Sequence, residues 1–515
     1  MCGIIAVYYK HNEKNIYEII KSHLMLENRG PDSGRVITND NYFLGFRRLA
    51  INDTCEKGMQ PFVKGGISVL CNGEIYNHKK LKEKFNINCE SFSDCECILH
   101  LYEKLGFERT ILELRGDFAI IVIDGEKMYF GRDRIGVRPL FLGRTKSKNV
   151  ALASYARALT DYCEKVYPVV PGWGVYNSTK DNLSFMEYKF PLNYFPENQI
   201  NTEIRNTLIQ SVKDRLMTDR PVGCLLSGGL DSSLVVSILC KILGPEKVRT
   251  YSIGMEGSVD LKYARIVAEK LGTTHNEVKF TAEEGFKVIP EVIRDLESYD
   301  ITTIRASVGM WLLAKWISEN TDDIVIMSGE GSDELFCGYL YFHYAPSDKE
   351  LQKESFRLVK NLHLYDVLRA DRCVSSHGLE LRVPFLSHEM IDLALSIPPE
   401  LKKPYMGIEK NILRKSFNEN YLPDEVLLRR KDGMSDGISG DGKKWYEHIQ
   451  YFVKDIITDD IYKNSIFPSR EAQYYRMIYD NIFPSYQPIV EYWLPKWVEH
   501  GGDPSGRNLQ VFDEK

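Results

Sequence analysis

The chain opens MCGIIAVYY, with a cysteine directly behind the first methionine. Methionine removal, which a small second residue favours, leaves a thiol and a free α-amine on one residue. That amine has an ordinary pKa of about 8, so a useful fraction is neutral at physiological pH. It can act as general base on its own thiol, directly or through one water. The bland alternative is that Cys2 only begins a buried strand. NRGPDSG (Asn28 to Gly34) sets a Gly-Pro turn beside Arg29 and Asp32. FRRLAI puts Arg48 at the predicted start of a strand, suited to a bidentate hold on a carboxylate. NGEIYN (Asn72 to Asn77) follows the run ISVLC. Its Asn72 amide and Gly73 backbone N–H could face one oxyanion, worth about two to three decades in rate. Asp94, read as a helix cap, could equally bind an ammonium group.

A second group of motifs suits phosphate chemistry. VGCLLSGGLDSSLVVSILCKIL reads as strand, turn, helix. Ser227, Gly228 and Gly229 let successive N–H groups converge on an anion at a helix start. Asp231 lies inside the turn, where it can meet magnesium, and Ser232 and Ser233 add hydroxyls. The Gly-Lys-Ser/Thr ending of a Walker loop is missing. SGEGSDE (Ser328 to Glu334) follows the strand DIVIM. Glu330, Asp333 and Glu334 would repel one another unless solvated or bound to hard cations. LLRRKDGMSDG (Leu427 to Gly437) is a basic stretch before a turn, and most such runs are solvated faces.

The elements that must position these residues change character along the chain. Up to about residue 190, short β-like runs separated by turns dominate, with helical patterns at IYEIIKSHLMLENR and DCECILHLYEKLG, the latter opened by a predicted Ser93–Asp94 cap. Asn177 to Asn201, with Pro191 and Pro196, reads as a linker. Helices then alternate with buried-strand runs, the mark of a parallel sheet wound on both sides, whose ligands sit at the carboxyl ends of its strands. Beyond about residue 350 the pattern is chiefly helical. The expectation is an α/β and α+β chain of two domains, residues 1–190 and 200–515.

Bulk properties narrow the partners. At 515 residues, 43% hydrophobic and 27% charged, the chain reads as a multidomain globular protein. A net charge of −6 argues against nucleic acid or an anionic membrane. No apolar run is long enough to span a bilayer, and the start lacks a secretory signal. Eleven scattered cysteines suggest reduced thiols and a cytoplasmic setting. Cys95, Cys97 and His100 fit no common zinc spacing and read better as a packed helix.

MCGI, RGPD, NGEIYN and GRDRIGVRPL together resemble the class II glutamine amidotransferase domain over about 150 residues. The implied fold is an amino-terminal-nucleophile hydrolase sandwich, αββα. Cys2 would attack the glutamine amide, form a γ-glutamyl thioester and release ammonia. Asn72 and Gly73 would line the oxyanion hole, while Arg48, Glu74 and Asp94 would hold the glutamine backbone groups. SGGLDSS is similar to the signature of pyrophosphate-loop ATP pyrophosphatases, which implies a doubly wound parallel-sheet domain with a helical carboxyl-terminal part. The whole chain resembles the glutamine-dependent asparagine synthetase family, through SYDITTIRAS, SGEGSDELFCGYLYFH, LYDVLRADR, HGLELRVPFL, MSDG, YWLPKW and DPSGR.

That resemblance implies glutamine, aspartate and ATP as substrates, with Mg2+. Ser227, Gly228, Gly229, Asp231, Ser232 and Ser233 would hold ATP phosphates, and Leu226, Ile253, Ser328 and Gly329 the adenosine. Asp231 and Asp333 would bind magnesium, and Glu330 would support β-aspartyl-AMP formation. Lys431 would balance the leaving pyrophosphate. Thr302, Thr303 and Arg305 would lie near the aspartate. A homodimer is one assembly compatible with it. Tyr155, Tyr344 and Ser387 depart from the family's usual Glu, Lys and Asp. A β-lactam synthetase-like protein typically loses Cys2, and a dead scaffold would show erosion of the charged motifs. Neither pattern is present.

Overall fold

The computed structural model describes residues 1–9, 16–190, 195–430, 434–440, 442–463, 465–484, 486 and 491–499. Twelve strands build the first half: β1 (Gly3–Tyr8), β2 (Ser33–Thr38), β3 (Tyr42–Arg48), β4 (Phe62–Lys64), β5 (Ile67–Ile75), β6 (Gly116–Asp124), β7 (Lys127–Arg132), β8 (Phe141–Arg144), β9 (Val150–Ala153), β10 (Lys165–Pro168), β11 (Gly172–Asn177) and β12 (Asn182–Glu187). They form two six-stranded sheets ordered β10-β8-β9-β1-β3-β2 and β12-β11-β7-β6-β5-β4, with every pairing antiparallel.

Side chains alternate across a strand, so the sequence settles which of them face between the sheets. Ile4, Ala6 and Tyr8 of β1 pack there against Leu70 of β5 and Ala119, Ile121 and Ile123 of β6, and Cys2 packs at the edge of the same cluster. Ile5 and Val7 face the other way, into a core continuous with the second half. A second cluster joins Val69 and Cys71 of β5 to the helix Cys97–Leu105. The predicted linker is partly sheet, because Asn182–Glu187 pairs with β11.

The second half carries one five-stranded parallel sheet, ordered β15-β14-β13-β16-β17, from β13 (Val222–Leu225), β14 (Arg249–Gly254), β15 (Thr274–Lys279), β16 (Val325–Met327) and β17 (Glu380–Arg382). Helices between the strands start where polar side chains reach back to orphan N–H groups. Ser258 accepts from Leu261 N, Thr281 and Glu284 form a reciprocal capping box, and Asp300 accepts from Thr303 N. β13 sits at the centre, so the turn after it emerges mid-sheet at the strands' carboxyl ends.

That turn depends on Gly228. Its φ is +70°, and an added Cβ would lie 2.4 Å from both the carbonyl carbon of Tyr263 and the amide nitrogen of Ala264. These are backbone atoms of the helix Val259–Leu271 and cannot swing aside. Gly229 meets only Ser227 Oγ, at 3.3 Å. Gly228→Ala is therefore expected to lose about 1–3 kcal/mol and to lower the urea midpoint, while Gly229→Ala leaves it nearly unchanged. Equal midpoints would show that the turn tolerates the methyl group.

Candidate functional site

Two centres form, one in each half. At the first, Cys2 Sγ lies 3.6 Å from Leu49 O, and burial pushes the thiol up to about 11. The Met1 amine is also buried, pushed down to about 5, and donates to Leu379 O at 3.0 Å. Asn72 shares a face of β5 with Leu70, so its amide points between the sheets toward the face that Cys2 shares. Asn72 is fully buried, and among the described residues neither its Oδ1 nor its Nδ2 has a hydrogen-bond partner. An orphaned buried amide is costly unless something arrives to bond it. Gly73, at φ +145°, lets β5 pass so close to β6 that a Cβ would strike Asp117 O.

Glu74 and Asp94 form a buried acidic pair beside this point. Asn52 Nδ2 donates to Glu74 and, at 3.3 Å, to Asp94. Burial, and next the Asp94 charge, holds the Glu74 carboxyl well above its ordinary range. Asp94 is raised too, by burial, against a hydrogen bond from Ile75 N at 2.6 Å. Asp94 is not the predicted helix cap, since that helix begins at Cys97. Arg48 ends β3 rather than starting a strand, and its fork donates to Cys55 O and Asp53 O. The fork thus shapes the 53–55 loop, with the charge still felt at Cys2.

The second centre lies where the Ser227–Ser233 turn meets the Ser328–Glu334 turn. Ser232 Oγ accepts from Ser227 N at 3.2 Å, closing the first turn. Gly229 precedes the helix Leu230–Leu243, so that helix's amino end faces the turn. Gly329 lets the second turn press on the first, because a Cβ there would lie 2.7 Å from Ser232 N. Ser332 Oγ donates to Asp231 Oδ1 at 2.7 Å. Lys410 Nζ sits between Asp231 Oδ2 at 2.5 Å and Asp333 Oδ1 at 2.8 Å. Two carboxylates converging on one cationic position suit a hard divalent ion. Leu226, in a backbone bond to Tyr251 O, and Ile253 on β14 lie at the sheet's carboxyl end with Ser328. Ser233 is fully buried, and its hydroxyl has no partner among the described residues.

Glu330 Oε2 accepts from Arg369 Nη2 at 2.9 Å. Glu334 turns instead to Tyr339 OH at 2.5 Å, and burial raises its carboxyl well above normal. Thr303 and Arg305, expected near the aspartate, both have hydrogen-bond partners within the chain. Thr303 Oγ1 donates to Asp300 Oδ2 at 2.7 Å, as part of a helix cap. Arg305 Nε and Nη2 both donate to Glu471. The buried Thr302 hydroxyl has no partner among the described residues. Lys431 lies outside the described residues. Cys95 and Cys97 are tied to Gly73 O and Asp94 O. Cys89, Glu96 and His100 come within 4.8 Å of one another, but Glu96 is already bonded by the N–H groups of Glu90 and Ser91. Asn52, Lys410 and Arg369 escaped the sequence reading. IEKNILR and LYDVLRADR surround the latter two without marking them.

A family model described as glutamine amidotransferase domain matches residues 1–170, and one described as asparagine synthase matches 203–349 and 345–488. Proteins named asparagine synthetase [glutamine-hydrolyzing] from Rattus norvegicus and Homo sapiens are each 43% identical over 559 aligned positions, covering 99% of this chain and 99% of theirs. The Gallus gallus protein of that name is 42% identical over 560 positions, with the same coverage. The chain belongs to the glutamine-hydrolysing asparagine synthetase family. Its three departures from the usual synthetase pattern have structural partners of their own. Tyr155 is fully buried, its ring centroid 3.9 Å from the Arg157 guanidinium and 5.2 Å from that of Arg29. Ser387 caps the helix His388–Ser396 by accepting from Met390 N. Asp at that position would cap equally well. Tyr344 is partly exposed, closing a short 3₁₀ turn.

Lys410→Met should remove the ammonium that Asp231 and Asp333 share. The variant is expected to bind Mn2+ without nucleotide about tenfold more tightly than wild type, as read by Mn2+ spin-resonance titration. Unchanged affinity would mean that the two carboxylates do not share an ion position.

Proposed function

We propose that this chain makes L-asparagine, AMP, diphosphate and L-glutamate from L-aspartate, ATP, L-glutamine and water. The observation that carries the reading is the orphaned Asn72 amide on the face shared with Cys2, in one chain with a phosphate turn whose Asp231 converges with Asp333 of the acidic turn on one cation. Residues 1–190 act as the glutaminase domain and 200–515 as the synthetase domain.

In the first, Cys2 with a freed α-amine attacks the glutamine side-chain carbonyl. The thiol proton passes to the amine as the carbon–sulfur bond forms. Asn72 Nδ2 and Gly73 N–H hold the oxyanion, ammonia leaves, and water later hydrolyses the γ-glutamyl thioester. Glu74 and Asp94 bind the substrate's α-ammonium, and Arg48 sets its charge and its loop beside the α-carboxylate. In the second, Ser227, Gly228, Gly229, Ser232 and Ser233 hold ATP phosphates, while Leu226, Ile253, Ser328 and Gly329 hold adenosine. A carboxylate cannot expel oxide, so the aspartate side chain first attacks the α-phosphorus, diphosphate leaves, and β-aspartyl-AMP forms. Ammonia then attacks its acyl carbon and AMP departs. Asp231 and Asp333 would hold Mg2+, which neutralises diphosphate charge. Glu330, oriented by Arg369, supports formation of the intermediate, Lys410 and Lys431 supply positive charge near the phosphates, and Thr302 faces aspartate. The partners are these small molecules, without nucleic acid or membrane. Among the described residues no helix is long and apolar enough to cross a bilayer. Eleven free cysteines suit a reducing, cytoplasmic setting.

Cys2→Ala is expected to abolish glutamine-dependent asparagine formation and spare synthesis from ammonium salts. Following asparagine, AMP, diphosphate and glutamate together tests it, and ADP as the coproduct would sink the adenylation route.

Glu74 also predicts a pH dependence. Its carboxyl is raised in the empty site, so it holds a proton there above the ordinary carboxylate range. An arriving ammonium favours the ionised form, so binding expels that proton. Glutamine affinity of Cys2→Ala should then strengthen as pH rises through the raised pKa and level off above it. Calorimetry in two buffers should detect the released proton. A pH-independent affinity, or one left unaltered by Glu74→Gln, would remove Glu74 from this role.

A further inference from the structure

The helix Asp366–Ser375 touches both centres. Near its start, Asp366 accepts from Tyr339 OH at 3.1 Å and from Arg369 Nη2 at 2.9 Å, and that same nitrogen reaches Glu330. Nearer its end, Asp371 Oδ2 accepts from Arg29 Nη1 at 2.9 Å, and Ser375 Oγ accepts from the same nitrogen at 2.9 Å. The other Asp371 oxygen takes Arg138 Nη1 at 3.1 Å. Arg29 Nε then donates to Cys2 O at 2.9 Å. A helix rises 1.5 Å per residue, so only about 9 Å of rigid backbone separates Arg369 from Ser375. Arg29, Asp371 and Ser375 are at most 1% exposed, so water neither screens nor replaces these bonds.

Arg29 thus has one edge on the nucleophile's own backbone and the other on a helix of the opposite half. We infer that Asp371 and Ser375 are positioning residues for glutamine hydrolysis, aiming Arg29 and through it the Cys2 backbone and thiol. This rests on the proposed role of Cys2. Neither residue is among those placed against glutamine, so their loss should misplace the nucleophile without emptying the substrate pocket. Misplacement of about 1 Å costs up to about a hundredfold in rate.

The test uses the full chain and two variants. Asp371→Asn removes the charge that two arginines share. Ser375→Ala removes one hydrogen bond and carries the test alone if Asp371→Asn does not fold. Glutamine hydrolysis, glutamine KM and synthesis from ammonium salts are measured for each, with thermal melting. The expected result is a hydrolysis kcat lower by about 10- to 100-fold for Asp371→Asn and about two- to fivefold for Ser375→Ala. Glutamine KM and ammonia-dependent synthesis should stay within about twofold. A purely structural role would lower both activities together, and that outcome overturns the inference. So does a raised KM at constant kcat, or an unchanged hydrolysis rate in Ser375→Ala. A wild-type chain that makes asparagine from ammonium but hydrolyses no glutamine would overturn the reading of Cys2 itself, and this inference with it.

Discussion

The two halves meet across guanidinium groups that cannot lose their charge. Arg29, Arg138, Arg372 and Arg382 are among the largest fully buried side chains of the protein. An arginine stays protonated at any physiological pH, so each buried one needs acceptors supplied by the fold. Many of those acceptors belong to the opposite half. Arg29 and Arg138 share Asp371, Arg138 also reaches Leu381 O, Arg215 binds Asp117 at 3.1 Å, and Arg382 stands 3.5 Å from Glu74. Removing one partner of such a pair typically costs about 3–5 kcal/mol, because the remaining charge stays buried. Separating the halves would strand several at once. The apolar core also crosses the seam, running from Ile5, Val7 and Tyr155 into Leu296 and Val374. The relative placement of the two centres is therefore a property of the fold.

Local motifs were legible in the sequence because their chemistry closes within a few residues. The Ser227–Ser233 turn needs only its own hydroxyl, its glycines and the helix that follows. NGEIYN needs only strand alternation to turn Asn72 inward. The groups that escaped are paired over long separations: Lys410 is 179 residues from Asp231 and Asp371 is 342 from Arg29. No spacing rule reaches that far. The same blindness misassigned polar residues whose local role looked obvious. Ser93 and Asp94 look like a cap, yet Asp94 bonds Ile75 N of β5, 19 residues back, and the helix starts three residues later. Arg305, brought near the aspartate by resemblance alone, bonds Glu471 from 166 residues away, a contact no local pattern announces. Asn182–Glu187 is an edge strand with all six residues exposed, Leu183, Phe185 and Met186 among them, so its pairing with β11 rests on the backbone and not on a buried face.

The two centres handle negative charge in opposite ways. Glu74 and Asp94 lie together without a lysine between them, and the nearest guanidinium, that of Arg382, is engaged with Glu380 at 2.9 Å. Their repulsion is relieved by protonation, which is why burial and proximity push Glu74 upward. Asp231 and Asp333 have the Lys410 ammonium standing between them. A pocket that stores a proton is ready to exchange it for an organic ammonium. One that stores a lysine is ready to release it toward phosphate when a divalent ion takes its place. Each arrangement lowers the cost of keeping the empty site buried, and each makes the arriving cation complete a charge balance that the chain leaves unfinished. Selectivity follows from the same constraint. A ligand that brings no cation to the Glu74–Asp94 pair leaves Glu74 protonated and forgoes the ion pair, and one that brings no polyanion offers the displaced lysine nothing to bind.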